Sequence, residues 1–187
     1  MKKFFTLATV ALASVFGAQA GDGFIGGRLG FEHNETKEEQ TNQFTILPEL
    51  GYNFNSQWAI GTTIGYQYTH ICGADTDVHM FKFNPYARFT YFRTSNNLVQ
   101  LFVDGGAGIG LGSVDHGDDD SHTSVTWNVG LRPGVAFNFT DKFSLVAHLG
   151  FLGYEGANNA AFSVGYPRKG GFNFDTNELT LGFYFNF

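Results

Sequence analysis

The chain has one cysteine, Cys72, so no internal disulfide can hold the fold. Charge is scarce too. Asp, Glu, Lys and Arg make up 15% of the 187 residues, where a soluble domain carries about 25%. That is too little to cover a water-facing surface. With 17% aromatic residues the chain is also too apolar to stay disordered. Beyond residue 20 no run approaches the length of apolar sequence that a transmembrane helix needs. A helical bundle is excluded by 25 glycines, each costing a helix interior about 1 kcal/mol. No nucleic-acid partner is expected of a chain with net charge −6.

The first twenty residues stand apart. Lys2-Lys3 is a charged start, Phe4 to Phe16 is a short apolar run, and Ala18-Gln19-Ala20 is an A-x-A cleavage site. This predicts a secretory signal peptide over 1–20 and one domain over 21–187. Loss of Lys2 and Lys3 would leave the mature chain at net charge −8.

From there on the dominant period is two. Phe44, Ile46, Pro48, Leu50, Tyr52 and Phe54 alternate with Thr45, Leu47, Glu49, Gly51 and Asn53. Leu179, Leu181, Phe183, Phe185 and Phe187 alternate with Thr180, Gly182, Tyr184 and Asn186. Such alternation predicts strands with two unlike faces. One pattern also repeats. Phe44 to Phe54, Phe81 to Tyr91 and Val129 to Phe139 each carry proline at the fifth place and aromatics at the ninth and eleventh. Each copy runs into a short polar turn and then another alternating strand. Eight strands result, at about 23–33, 43–54, 57–70, 79–92, 98–112, 124–139, 142–154 and 176–187. The links after even-numbered strands are short; those at 34–42, 71–78, 113–123 and 155–175 are long. Each strand reaches or exceeds the 9–11 residues a tilted strand needs to cross a bilayer. This predicts an all-β fold: an eight-stranded antiparallel up-and-down transmembrane barrel.

Alternation alone also fits a soluble lipocalin-like barrel with its apolar face inward. Size decides otherwise. Eight inward rows of Phe, Tyr and Leu would overfill a small barrel. The opposite face is small or charged, with Arg28, Glu32, Glu49, Lys82, Arg88, Asp104, Arg132 and His148 on it. Both signs are present in near balance, as a closed interior requires of buried charge. These residues are the expected lumen charge network.

The chain therefore resembles the small eight-stranded outer-membrane barrels of Gram-negative bacteria, of the OmpX and OmpA transmembrane-domain type. The likeness rests on the leader, the strand count, the proline–aromatic repeat and a last strand ending in phenylalanine. It implies outer-membrane localisation after Sec-type export, and a monomer surrounded by outer-membrane lipid and lipopolysaccharide. It also implies handling by periplasmic chaperones and the barrel assembly machinery, with Tyr184, Phe185 and Phe187 as the assembly signal.

Other segments carry candidate chemistry. Gly105 to Gly112 places glycine at period two, not in the G-x-G-x-x-G spacing of a nucleotide loop. It reads as a smooth inward face. Asp115, His116, Asp118, Asp119, Asp120 and His122 are weak candidates for a metal site, though their spacing matches no EF-hand loop. His122-x-Ser124 suggests an acyl hydrolase or transferase only if a third member exists. No cofactor is expected. The long loops hold the net negative charge, which suits an extracellular ligand or plain repulsion between neighbours. The expected role is structural or interactive, with loops contacting lipopolysaccharide, host or matrix. A lipid-modifying enzyme, a narrow channel and a soluble ligand-binding barrel are the alternatives.

Overall fold

The computed structural model describes residues 23–35, 40–72, 76–116, 121–166, 168–173 and 180–187. The predicted leader lies outside them. The elements are β1 (Gly23–Glu35), β2 (Gln40–Asn53), β3 (Trp58–Ile71), β4 (Thr76–Arg93), β5 (Val99–His116), β6 (Ser121–Asn138), β7 (Phe143–His148), β8 (Phe151–Ala157), α1 (Asn159–Ser163), β9 (Lys169–Asn173) and β10 (Thr180–Asn186). Every pairing is antiparallel between chain neighbours except the one that closes the ring. There β1 meets β10, from Phe24↔Asn186 to Gly27↔Phe183. The result is an eight-position up-and-down barrel. β7 and β8 share the seventh position, and β9 and β10 the eighth.

The split of the seventh strand is a feature the alternation did not announce. β6 pairs Gly134 with His148 but Leu131 with Leu152, so the seventh strand holds one extra residue at 149–151. This is a β-bulge. Gly150 adopts φ 72°, a left-handed conformation that suits glycine. The bulge reverses the inward parity. Ser144, Val146 and His148 are buried on one side of it, and Phe151 on the other.

The three prolines sit at gaps in the ladders, and only the one at Pro133 coincides with the bulge. The β2–β3 ladder skips Leu47 and Pro48, the β4–β5 ladder skips Asn84 and Pro85, and the pairing of β6 with the seventh strand skips Arg132 and Pro133. Toward the preceding strand each proline is paired: Gly27↔Pro48, Thr62↔Pro85 and Val103↔Pro133. Each proline thus withholds its missing N–H from the following strand only. At Pro133 the freed carbonyl accepts from Leu149 N at 2.8 Å, and the bulge forms there.

Glycines on the inward face of β5 let the wall come close to large neighbours. A Cβ at Gly106 would lie 2.5 Å from the Pro85 carbonyl oxygen and 2.9 Å from Tyr86 Cβ. Neither can retreat. On the outward face of the same strand, a Cβ at Gly105 meets only the Leu131 Cδ2 methyl at 3.1 Å. Gly106→Ala is therefore expected to destabilise by about 1–3 kcal/mol, and Gly105→Ala by much less. Urea midpoints of the two refolded variants check this.

The outward rows are apolar and exposed: on β3 alone, Trp58, Ile60 and Ile64. Trp58 and Tyr68 bound this row. Ten residues at about 3.4 Å, tilted about 40°, rise about 25 Å. That is the height of the apolar band on an outer-membrane barrel.

Candidate functional site

The inward face at mid-barrel carries a connected polar network. β4 supplies Arg88, β5 Asp104, β2 Glu49, β7 His148 and β10 Tyr184, each buried. Arg88 grips Asp104 in a fork, with Nε to Oδ1 at 2.7 Å and Nη2 to Oδ2 at 2.8 Å. His148 Nε2 lies 2.8 Å from the same Oδ2. Arg88 Nη2 also donates to the Tyr184 hydroxyl at 3.1 Å and stands 3.7 Å from Glu49 Oε1. Glu49 accepts from Tyr184 at 2.6 Å and from the Tyr86 hydroxyl. Below the guanidinium, the Phe102 ring centroid is 3.9 Å from Cζ. A buried charge set of this kind holds together because each charge has both a counter-charge and hydrogen bonds.

At the end that carries the short turns and the last strand's terminus, the network floors a polar vestibule of about 390 Å³. A hydrogen-bonded collar braces its rim. Asn138 Nδ2 donates to the Asn97 carbonyl at 2.7 Å, Ser144 to Asn138 Oδ1 at 2.7 Å, and Asn186 Nδ2 to Ser144 at 3.1 Å. On the other side lies a cavity of about 20 Å³, lined by Arg28, Arg132, Asn84 and Asn128 among others. That is room for about one water.

At the long-loop end, the described part of the last loop folds toward the barrel mouth. Asn158 caps α1, its side chain accepting from Ala161 N at 2.9 Å. Gly165, with φ 92°, then turns the chain so that Tyr166 dips into the mouth. Its hydroxyl accepts from Gln67 Nε2 at 3.1 Å, and Lys82 Nζ stands 5.8 Å from its ring centre. Burial pushes the Tyr166 phenol up to about 12.

Of the eight expected lumen residues, Arg88, Asp104, Glu49 and His148 meet directly. Arg28 and Arg132 line the small cavity, the latter with Phe151 5.0 Å from its guanidinium. Lys82 sits under Tyr166. Glu32 is opposite Gln43 in β1, and its side chain lies outside the described residues. Tyr86 and Tyr184 complete the network. Counting charge does not single out Tyr86, and Tyr184 enters only as part of the expected assembly signal, although both fall on inward positions of the alternation. Tyr184 therefore faces the lumen, while Phe185 faces out. Phe187 N donates to the Gly23 carbonyl at 3.0 Å.

The metal candidates scatter. Asp115 lies on the outward row of β5, where it accepts from Ser113 Oγ at 3.2 Å. His122 lies on the inward row of β6, exposed at the rim. The His116 side chain and Asp118, Asp119 and Asp120 fall outside the described residues. Among the described residues no group of three His, Cys, Asp or Glu is placed to hold a metal. Ser124 is fully buried on the inward face, opposite Gly112, and its hydroxyl has no partner among the described residues. Lipid cannot reach it there, so the His122–Ser124 pair does not form a lipid-facing catalytic site.

The outward face holds a second polar group. At the outer edge of the apolar band, Tyr66 OH is 2.5 Å from His79 Nδ1. Tyr68 OH donates to Asp77 Oδ1 at 2.8 Å, and His70 Nδ1 is 2.8 Å from the same oxygen. Those two hydrogen bonds, from His70 and then Tyr68, hold the Asp77 carboxyl below the usual range.

A polar lumen inside an apolar band is the arrangement of a small membrane barrel, and residues 5–187 match the family model of the outer membrane protein beta-barrel domain. The chain belongs to this family. Its fold is similar to that of Neisserial surface protein A, with a TM-score of 0.58 at 17% identity over 88% of this chain and 97% of the other. It is also similar to the N-terminal barrel domain of Pseudomonas aeruginosa OprF, with a TM-score of 0.53 at 15% identity over 90% and 100%. At these identities the likeness concerns the fold. No curated protein matches the chain in sequence. As an outer-membrane barrel, the chain presents Phe, Ile, Leu and Trp to lipid, which accounts for its shortage of charge.

Proposed function

We propose that this outer-membrane barrel is a monomeric, non-enzymatic surface protein. Its work is done by its outward face and extracellular loops, in contact with lipopolysaccharide and with host or matrix molecules. One observation carries the reading: a buried polar network crosses the lumen at mid-barrel. This is the Arg88–Asp104–Glu49–Tyr184 network, and Tyr166 dips into the mouth above it, so among the described residues the vestibule ends on a polar floor and does not continue as an open path. What remains for recognition is the exterior. The inward burial of Ser124 supports the non-enzymatic part.

Planar-bilayer recording of the refolded protein tests the crossed lumen, with no discrete conductance expected. Steady single-channel steps would overturn the reading in favour of a channel. Acyl release from lipopolysaccharide, assayed by mass spectrometry, should stay at the level of protein-free vesicles.

A further inference from the structure

We propose that the outward faces of β3 and β4 at the outer edge of the apolar band bind the sugar part of an outer-leaflet glycolipid. This deepens the surface role above and rests on it. The ladders set three outward rows across β2 to β5. The lowest reads Ile46, Tyr66, Phe81, Leu111; the next reads Phe44, Tyr68, His79, Ser113; the highest reads Asn42, His70, Asp77, Asp115. Each step upward trades apolar surface for hydrogen-bonding groups. The first row belongs with acyl chains. The second is a platform of rings, with Tyr68 and His79 centred 5.1 Å apart, resting on the Tyr66–Phe81 pair of the first row at 5.3 Å. The third is a row of acceptors and amides.

Position selects the occupant. Tyr68 ends the band of about 25 Å that starts at Trp58, so these rows face headgroups, where amphipathic rings concentrate. Chemistry narrows it. These twelve described residues include no Lys or Arg, so they offer a phosphate no guanidinium or ammonium partner. Asp77 and Asp115 stand directly opposite each other. Each has its own donors, Tyr68 and His70 on Asp77 and Ser113 on Asp115, and a donor shared between the two would further ease the like-charge contact. Sugar hydroxyls are neutral donors that can bridge two carboxylates, and the apolar C–H face of a sugar ring suits the platform below. The rings are already fixed by the Tyr66–His79, Tyr68–Asp77 and His70–Asp77 contacts, so little order need be imposed on binding. Asp77 and His70 remain 44% and 33% exposed, open to a ligand.

The test titrates the chain, refolded in phosphocholine micelles, with rough lipopolysaccharide and with the same material after phosphatase treatment. Binding of both is expected. Tyr68→Ala and Asp77→Ala should each weaken it at least tenfold, and Tyr154→Ala, an exposed ring on β8, should not. Heat-modifiable gel mobility shows that each variant folds. Binding that disappears with the phosphates overturns the sugar assignment. Binding untouched by Tyr68→Ala and Asp77→Ala overturns the site while leaving the surface role intact. No binding by the unaltered protein overturns both.

Discussion

Replacing Arg88 with leucine should cost about 3–5 kcal/mol of unfolding free energy, the range for removing one partner of a buried ion pair. The reason is what stays behind. Asp104 loses a two-point charge-assisted grip at 2.7 and 2.8 Å and keeps only His148. Glu49 keeps two phenol donors but loses its nearest cation at 3.7 Å. Leucine also gives up the guanidinium stacked 3.9 Å over Phe102. Two companions sharpen the expectation. Arg88→Lys should recover part of the loss, because an ammonium supplies charge but not the planar fork. Arg88→Leu with Asp104→Leu should be milder than Arg88→Leu alone, since no orphaned aspartate remains. Urea titration in lipid vesicles, followed by Trp58 and Trp127 emission, reads all three. If the single variant shifts stability by under about 1 kcal/mol, or the double is the sum of its parts, then the network is not coupled through Arg88.

The physics of this fold writes itself unevenly into the sequence. Period-two alternation made eight strands legible, because an apolar exterior and a polar interior demand it at every position. It also placed Arg88, Asp104, Glu49 and His148 on one face. It could not show which of them touch. That depends on register between strands far apart in the chain: His148 reaches Asp104 across 44 positions and Tyr184 reaches Glu49 across 135. The seventh strand hid its bulge for a related reason. Phe151, Leu152 and Tyr154 are apolar on both sides of the parity change, so the pattern shows no break. Only Gly150 and the proline on the neighbouring strand hinted at it. The Tyr66–His79 and Tyr68–Asp77–His70 contacts leave no mark on the sequence, because polar outward residues near a loop look like ordinary strand ends.

Leu181→Arg tests the inside–outside assignment as a whole and should cost about 2–4 kcal/mol, the range for a cation on the lipid face near the midplane. Leu181 is 53% exposed, yet in the membrane its neighbours are acyl chains. It lies six positions from Phe187 at the short-turn end, just as Ile64 lies six from Trp58, so both sit near mid-band. The next residue, Gly182, is inward, where a Cβ would lie 3.1 Å from Arg28 Cγ. Parity along β10 can be read directly. In a background of Cys72→Ser, single cysteines at 181, 183 and 185 should react with a bilayer-soluble maleimide. Those at 182, 184 and 186 should not. The reverse labelling would put the phenylalanines of β10 inside the barrel, where Tyr184 and Arg88 now meet at 3.1 Å. The lumen network would fall with it. A cost well under 2 kcal/mol with the expected labelling would instead move Leu181 toward an interface, where an arginine can reach headgroups. The parity would then stand, and only the height of the band on β10 would change.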